Sequence, residues 1–131
     1  MSNGIALQRW TVDDLPVLER TNTPQMTAFL GGPETHEKLE ERNERYARGW
    51  ETGAAAMFTI RLEGERDAVG SVGSWPTMWH DLDVYETGWA VTEPFQGRGI
   101  ASRAVAAVLK HATEHGDREL VLAFPRVDNS A

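Results

Sequence analysis

At 131 residues, 40% of them hydrophobic, the chain carries enough apolar material for one core and not for two, so residues 1–131 are expected to form a single domain. A formal charge of −7 works against a surface that tracks nucleic-acid phosphates, which needs clustered Lys and Arg to displace counterions. The lack of cysteine removes disulfides, thiolate nucleophiles and Cys-based zinc sites together, and no stretch approaches the ~20 apolar residues of a membrane span, so a soluble cytoplasmic protein is expected.

Taken in chain order, Ile5 to Trp10 begins with a period of two and reads as a short strand. Thr11 or Asp13 then caps a helix running through Leu15 and Leu18, with Pro16 in its first turn. Gly31-Gly32-Pro33 breaks the chain. From Thr35 to Trp50 comes a charged helix with Leu39, Tyr46 and Trp50 near one stripe and its other faces solvated. Ala55–Leu62, Ala68–Trp75 and Val84–Val91 read as three strands. The first two are close enough for a hairpin, whereas a longer loop containing His80 and Asp81 is expected before the third. Ile100 to His115 repeats apolar residues at helical spacing, and Gly116 is placed to end it. Glu119–Phe124 is a strand of the buried type, closed by Pro125.

The segment that carries chemistry is Gln96-Gly97-Arg98-Gly99-Ile100-Ala101, between the third of those strands and the long helix. It offers no side-chain oxygen at positions 97 to 99, so the first N–H groups of the helix lack a local acceptor. Two glycines allow a tight bend and close approach of a ligand, and the helix dipole puts partial positive charge at the same point. Arg98 adds a full charge and Arg103 lies one turn on, which suits a pyrophosphate. A glycine turn that merely starts a helix is the plain alternative. A Walker loop is excluded because no Gly-Lys-Ser/Thr follows. A dinucleotide fingerprint is weak because Ser102 replaces its third glycine.

This hexapeptide resembles the Gln/Arg-x-x-Gly-x-Gly/Ala signature of the GNAT acetyltransferase superfamily, and Tyr85-Glu86-Thr87-Gly88-Trp89-Ala90-Val91 is similar to the strand that precedes it. The nearest likeness is to the group of ribosomal-protein N-terminal acetyltransferases, RimJ and RimL. The resemblance spans Ile5 to Asn129. It implies an α+β fold with a mixed, mostly antiparallel sheet flanked by helices, shortened at the C-terminus, since the family continues past the fifth strand with a helix and two more strands. It also implies acetyl-CoA as cosubstrate without a metal. The backbone of Trp89, Ala90 and Val91 would pair with the pantetheine arm, and the amides of Gln96, Gly97, Arg98, Gly99, Ile100 and Ala101 would hold the pyrophosphate. Asn129 would stand near the arm. The acceptor is an amine, either a small molecule or a protein N-terminus.

A sheet ending at Glu119–Phe124 would leave an apolar edge open, so a homodimer or a swapped partner segment is expected to cover it. Acetyl transfer needs a neutral amine, a site for the oxyanion and an acid for the leaving thiolate. Glu86 is the candidate base, because it shares a strand face with the small residues Gly88 and Ala90; a solvent-facing carboxylate is the bland alternative. The acid that the resemblance implies is a tyrosine from the absent helix, for which Tyr85, pointing the other way, is a weak substitute. His80, beside Asp81, is best read as a solvated loop residue, and His36, His111 and His115 show no metal-like grouping. Trp75, Trp79, Trp89 and Met78 line an acceptor pocket or pack the core. The rival to an enzyme is a non-catalytic acyl-CoA-binding module of the same fold.

Overall fold

Alternation along the strands sorts the apolar residues onto two faces of one sheet. In the computed structural model, which describes residues 4–28, 31–116 and 121–123, the strands are β1 (Ile5–Arg9), β2 (Ala56–Leu62), β3 (Gly70–Trp79), β4 (Leu82–Val91) and β5 (Val121–Ala123). They lie side by side in chain order, antiparallel throughout except that β4 and β5 run parallel. The mixed, mostly antiparallel α+β class is therefore the one observed. Of the strand expected over Glu119–Phe124, Val121–Ala123 is seen; the remainder, like Asn129, lies outside the described residues.

Three helices cover the sheet: α1 (Leu15–Thr21), α2 (His36–Thr52) and α3 (Ile100–His115). Thr11 caps the 3-10 turn Val12–Asp14 that leads into α1, its N–H donating to Asp14 Oδ2 at 2.8 Å and its hydroxyl accepting from the Asp13 N–H at 3.2 Å in a capping box. Thr35 caps α2, and Gly53, at φ 81°, ends it in the left-handed conformation that glycine tolerates. One sheet face presents Phe58, Ile60, Val72 and Val91 to Ile100, Ala104 and Val108 of α3. On the opposite face Met57 meets Trp10, Val17, Leu18 and Leu39 from the side of α1 and α2. Each fully buried aliphatic side chain contributes roughly 1.5–3 kcal/mol through this burial. The polar tie across the second layer is Trp10, whose indole donates to Asn43 Oδ1 at 2.8 Å while the Asn43 amide donates to the Val12 carbonyl at 2.8 Å.

The expected longer loop around His80 and Asp81 is a correction. Strands β3 and β4 continue to Trp79 and from Leu82, joined by a two-residue turn in which His80 (φ 51°) and Asp81 (φ 65°) both take positive φ. Pro76 hides this extension from a sequence reading, because proline removes a ladder donor. It is tolerated here because β2 pairs with β3 only up to Ser74, which leaves the edge of β3 that faces away from β4 without a strand partner at Pro76 among the described residues.

Candidate functional site

At the carboxyl end of β4 the chain is pinned before it turns. The Thr92 N–H and hydroxyl both donate to the Val69 carbonyl, at 2.9 and 3.1 Å. A single 3-10 turn, Glu93–Phe95, follows, and the Gln96 side-chain amide reaches back to the Val91 carbonyl at 2.8 Å. Gly97 (φ 78°) and Gly99 (φ 76°) are both left-handed, and a methyl group on either would meet nothing within 4 Å among the described residues. Glycine is needed there for backbone conformation and not for crowding, since any L-residue in that region costs ~1–2 kcal/mol.

Gly99 is the N-cap of α3 and supplies no side-chain cap; the first helical bond runs from the Arg103 N–H to the Gly99 carbonyl at 3.1 Å. The amides before Arg103 therefore have no acceptor within the helix. Arg98 stands over the Phe95 ring at 5.3 Å, which keeps its charge beside the loop. One edge of β4 is bound to β3 as far as Val91, whereas on the other edge the described part of β5 pairs only from Tyr85 to Thr87.

Along the opposite sheet face runs a cleft of about 300 Å³, floored by Ser71, Gly88 and Ala90 and roofed by side chains from the end of α1, from α2 and from the segment joining them. Trp75 and Trp89 border it, but Trp79 and Met78 do not: they sit at the exposed β3–β4 hairpin tip, 38% and 62% accessible, which corrects their expected place in an acceptor pocket. The extended hairpin carries them past the cleft.

A family model described as "Acetyltransferase (GNAT) domain" matches residues 5–131. The chain belongs to the GNAT acetyltransferase family. A search of curated proteins finds no match. Among solved structures, an acetyltransferase of the GNAT family from Bacillus anthracis superposes with a TM-score of 0.75 at 22% identity, covering 96% of this chain and 72% of that one. The Salmonella typhimurium acetyltransferase that modifies the N-terminal serine of ribosomal protein L7/L12 gives 0.75 at 20% identity, over 98% and 75% of the two chains. An aminoglycoside acetyltransferase, AAC(6′)-Ib, in complex with coenzyme A gives 0.77 at 17% identity, over 97% and 78%. At such identities the likeness is one of fold; the family match carries the activity, which is acetyl transfer from acetyl-CoA. Nothing favours a non-catalytic binding module over this enzyme.

Within the GNAT domain, Glu86 stands directly opposite Trp75 in the β3–β4 register, on the face that holds Gly88 and Ala90. It is half-buried and accepts a hydrogen bond from the Trp75 indole at 3.3 Å, which orients its carboxylate beside the cleft, although it is not among the residues that line it. Tyr85 lies on the α3 face, where its ring packs against Gly116. His80 is exposed in the hairpin turn, its ring edge-on to Trp79 at 4.4 Å. Among the described residues no three His, Asp or Glu side chains are grouped to hold a metal ion, and no helix is long and apolar enough to cross a membrane.

Sequence reasoning missed the cleft roof. Asn22 clasps Glu34 twice: its amide donates to the Glu34 carbonyl at 2.9 Å and its Oδ1 accepts the Glu34 N–H at 2.7 Å. Glu34 in turn pairs with Arg42 at 2.7 Å, and Tyr46, one turn on, has its phenol pKa raised, chiefly by burial, against the lowering effect of Arg42 and Arg45. The available signal was spacing, because Arg42 stands three residues after Leu39 and four before Tyr46, on the buried stripe and not on the solvated face.

Proposed function

We propose that this GNAT domain holds acetyl-CoA against the start of α3 and passes the acetyl group to an amine in the cleft on the far side of β4. The observation that carries the reading is the uncapped α3 N-terminus, kept open by two left-handed glycines just beyond the strand that floors the cleft. These residues fit the cosubstrate: free helix amides and Arg98 answer a diphosphate, and the β4 edge from Gly88 to Val91 offers backbone groups to an extended amide-bearing arm.

Acetyl-CoA supplies a thioester, whose acyl carbon gains a bond to the amine nitrogen and loses its bond to sulfur. The amides of Gln96, Gly97, Arg98, Gly99, Ile100 and Ala101 fix the pyrophosphate, and Trp89, Ala90 and Val91 align the arm through their backbone. Glu86 takes the proton released from nitrogen, directly or through one water, its carboxylate being held by Trp75. Asn129 is assigned beside the arm by resemblance alone. The acceptor is a small-molecule amine or a protein N-terminus, as with the aminoglycoside and ribosomal-protein acetyltransferases named above. The reading further takes residues 1–131 as one domain, working in the cytoplasm, with a second copy covering the β5 edge.

Calorimetric titration with coenzyme A, paired with thiol release from acetyl-CoA over a panel of amines, tests the core of this. Saturable binding and amine-dependent thiol release are expected. No binding at millimolar coenzyme A would remove the site. A solution mass of one chain would remove the second copy.

A further inference from the structure

The charges of the cleft are few and already arranged. Among the described residues that line it, Glu34 and Arg42 are the charged ones, and the others are neutral, with apolar contributions from Met26, Leu39, Met57 and Trp75. Their ion pair, 2.7 Å and about seven-tenths shielded on each side, is held in place by the double clasp of Asn22 on the Glu34 backbone. A guanidinium offers five N–H groups in a planar fork, more than the Nη2 contact to Glu34 uses, so Arg42 has donors to offer another carboxylate.

We infer that the acceptor is a small aminocarboxylate with an apolar side chain, of the free amino acid type, its carboxylate held by Arg42 and its amine directed to the Gly88–Ala90 floor. The inference rests on the acetyl-transfer reading and narrows it. A cleft with one cation and one anion balances a molecule that carries one of each. A polycationic sugar would need several carboxylates where this cleft supplies Glu34, already paired, and Glu86 at its border, and about 300 Å³ suits an amino acid better than a multi-ring glycoside. Charge matching of this kind decides partners more than it adds affinity.

The test measures kcat/KM with acetyl-CoA for the common amino acids, their primary amides, the corresponding decarboxylated amines and an aminoglycoside such as kanamycin. The amide is a stringent control: its ammonium loses a proton more readily, so a preference for the free acid cannot come from a larger supply of neutral amine. At least one apolar amino acid should exceed its amide by about 10-fold or more, the scale of a charge-assisted hydrogen bond. In Arg42→Gln that preference should vanish through a higher KM for the acid, and Arg42→Lys should restore part of it, while the Kd of coenzyme A stays within about two-fold of wild type as the check on folding.

If amides, bare amines or kanamycin are the better substrates, the inference fails and acetyl transfer stands. If Arg42→Gln raises KM equally for acid and amide, Arg42 merely ties the cleft roof together, and the inference also fails. Coenzyme A binding with no transfer to any acceptor would overturn the catalytic reading itself.

Discussion

The two sides of β4 solve different problems with different materials. Beyond its carboxyl end, the segment from Gln96 to Ala101 is almost wholly backbone: two positive φ angles, an uncapped helix start and one arginine. Across its cleft face, the walls are drawn from α1, the segment after it, α2, β3 and β4. On the proposed reading that loop meets a diphosphate, which is the same in every transfer from acetyl-CoA, so a short contiguous segment suffices. Acceptors differ, and a surface gathered from many elements can be altered one residue at a time.

Substitutions can break that division. Glu86→Gln keeps the shape of the side chain and the acceptor for the Trp75 indole, so coenzyme A affinity should hold while kcat falls by roughly 100-fold, the usual worth of a positioned base. Equal loss of binding and turnover would make Glu86 structural. Gly99→Val attacks the other side: a β-branched residue at φ 76° is strained by ~1–2 kcal/mol even in open space. The Kd for coenzyme A should weaken by at least about 10-fold in a titration, with acceptor KM little changed. Unaltered affinity would mean that the loop does not touch the cosubstrate.

Smaller effects sharpen the contrast. A methyl group at position 88 would lie 2.8 Å from the Trp75 ring, so Gly88→Ala should displace that ring and lower kcat by a few-fold without moving the coenzyme A Kd. The smallest effect lies away from both regions. His111 has its pKa lowered from 6.5, first by burial, then by the neighbouring charges of His115 and Arg9, with Glu114 opposing. Below about pH 6.5 the unfolded chain takes up a proton that the folded chain resists, so stability should decline gently as pH falls through that range. Denaturant midpoints at pH 5 to 8 should show the slope in the wild type and lose it in His111→Gln.

The same division explains what could be read before the fold was known. The span of α3 was legible to the residue, because Ile100, Ala104, Val108 and Ala112 alternate without interruption and are buried as spaced. The tight bend of the glycine loop was legible because Gly97 and Gly99, both left-handed, stand in one contiguous segment. Strand β4 was legible at its end and not at its start, since Pro76 in the partner strand masked the hairpin that extends it. The placement of Glu86 on the face of Gly88 and Ala90 followed from alternation and agrees with the register, while its role in proton transfer is the proposal that Glu86→Gln tests. The Glu34–Arg42 pair was invisible because a charge on a helix normally signals water, and only the packing of α2 against the sheet turns Arg42 inward.

The hydrogen bond from Trp75 to Glu86, with the same indole pressed over Gly88, ties the width of the cleft to the aim of the carboxylate. On the proposed reading, enlarging that wall to admit a bulkier guest would release the base that deprotonates it. Adaptation to new acceptors is therefore confined to the opposite wall, where Met26, Thr27 and Arg42 can vary without disturbing the chemistry, and a directed-evolution library should be built there.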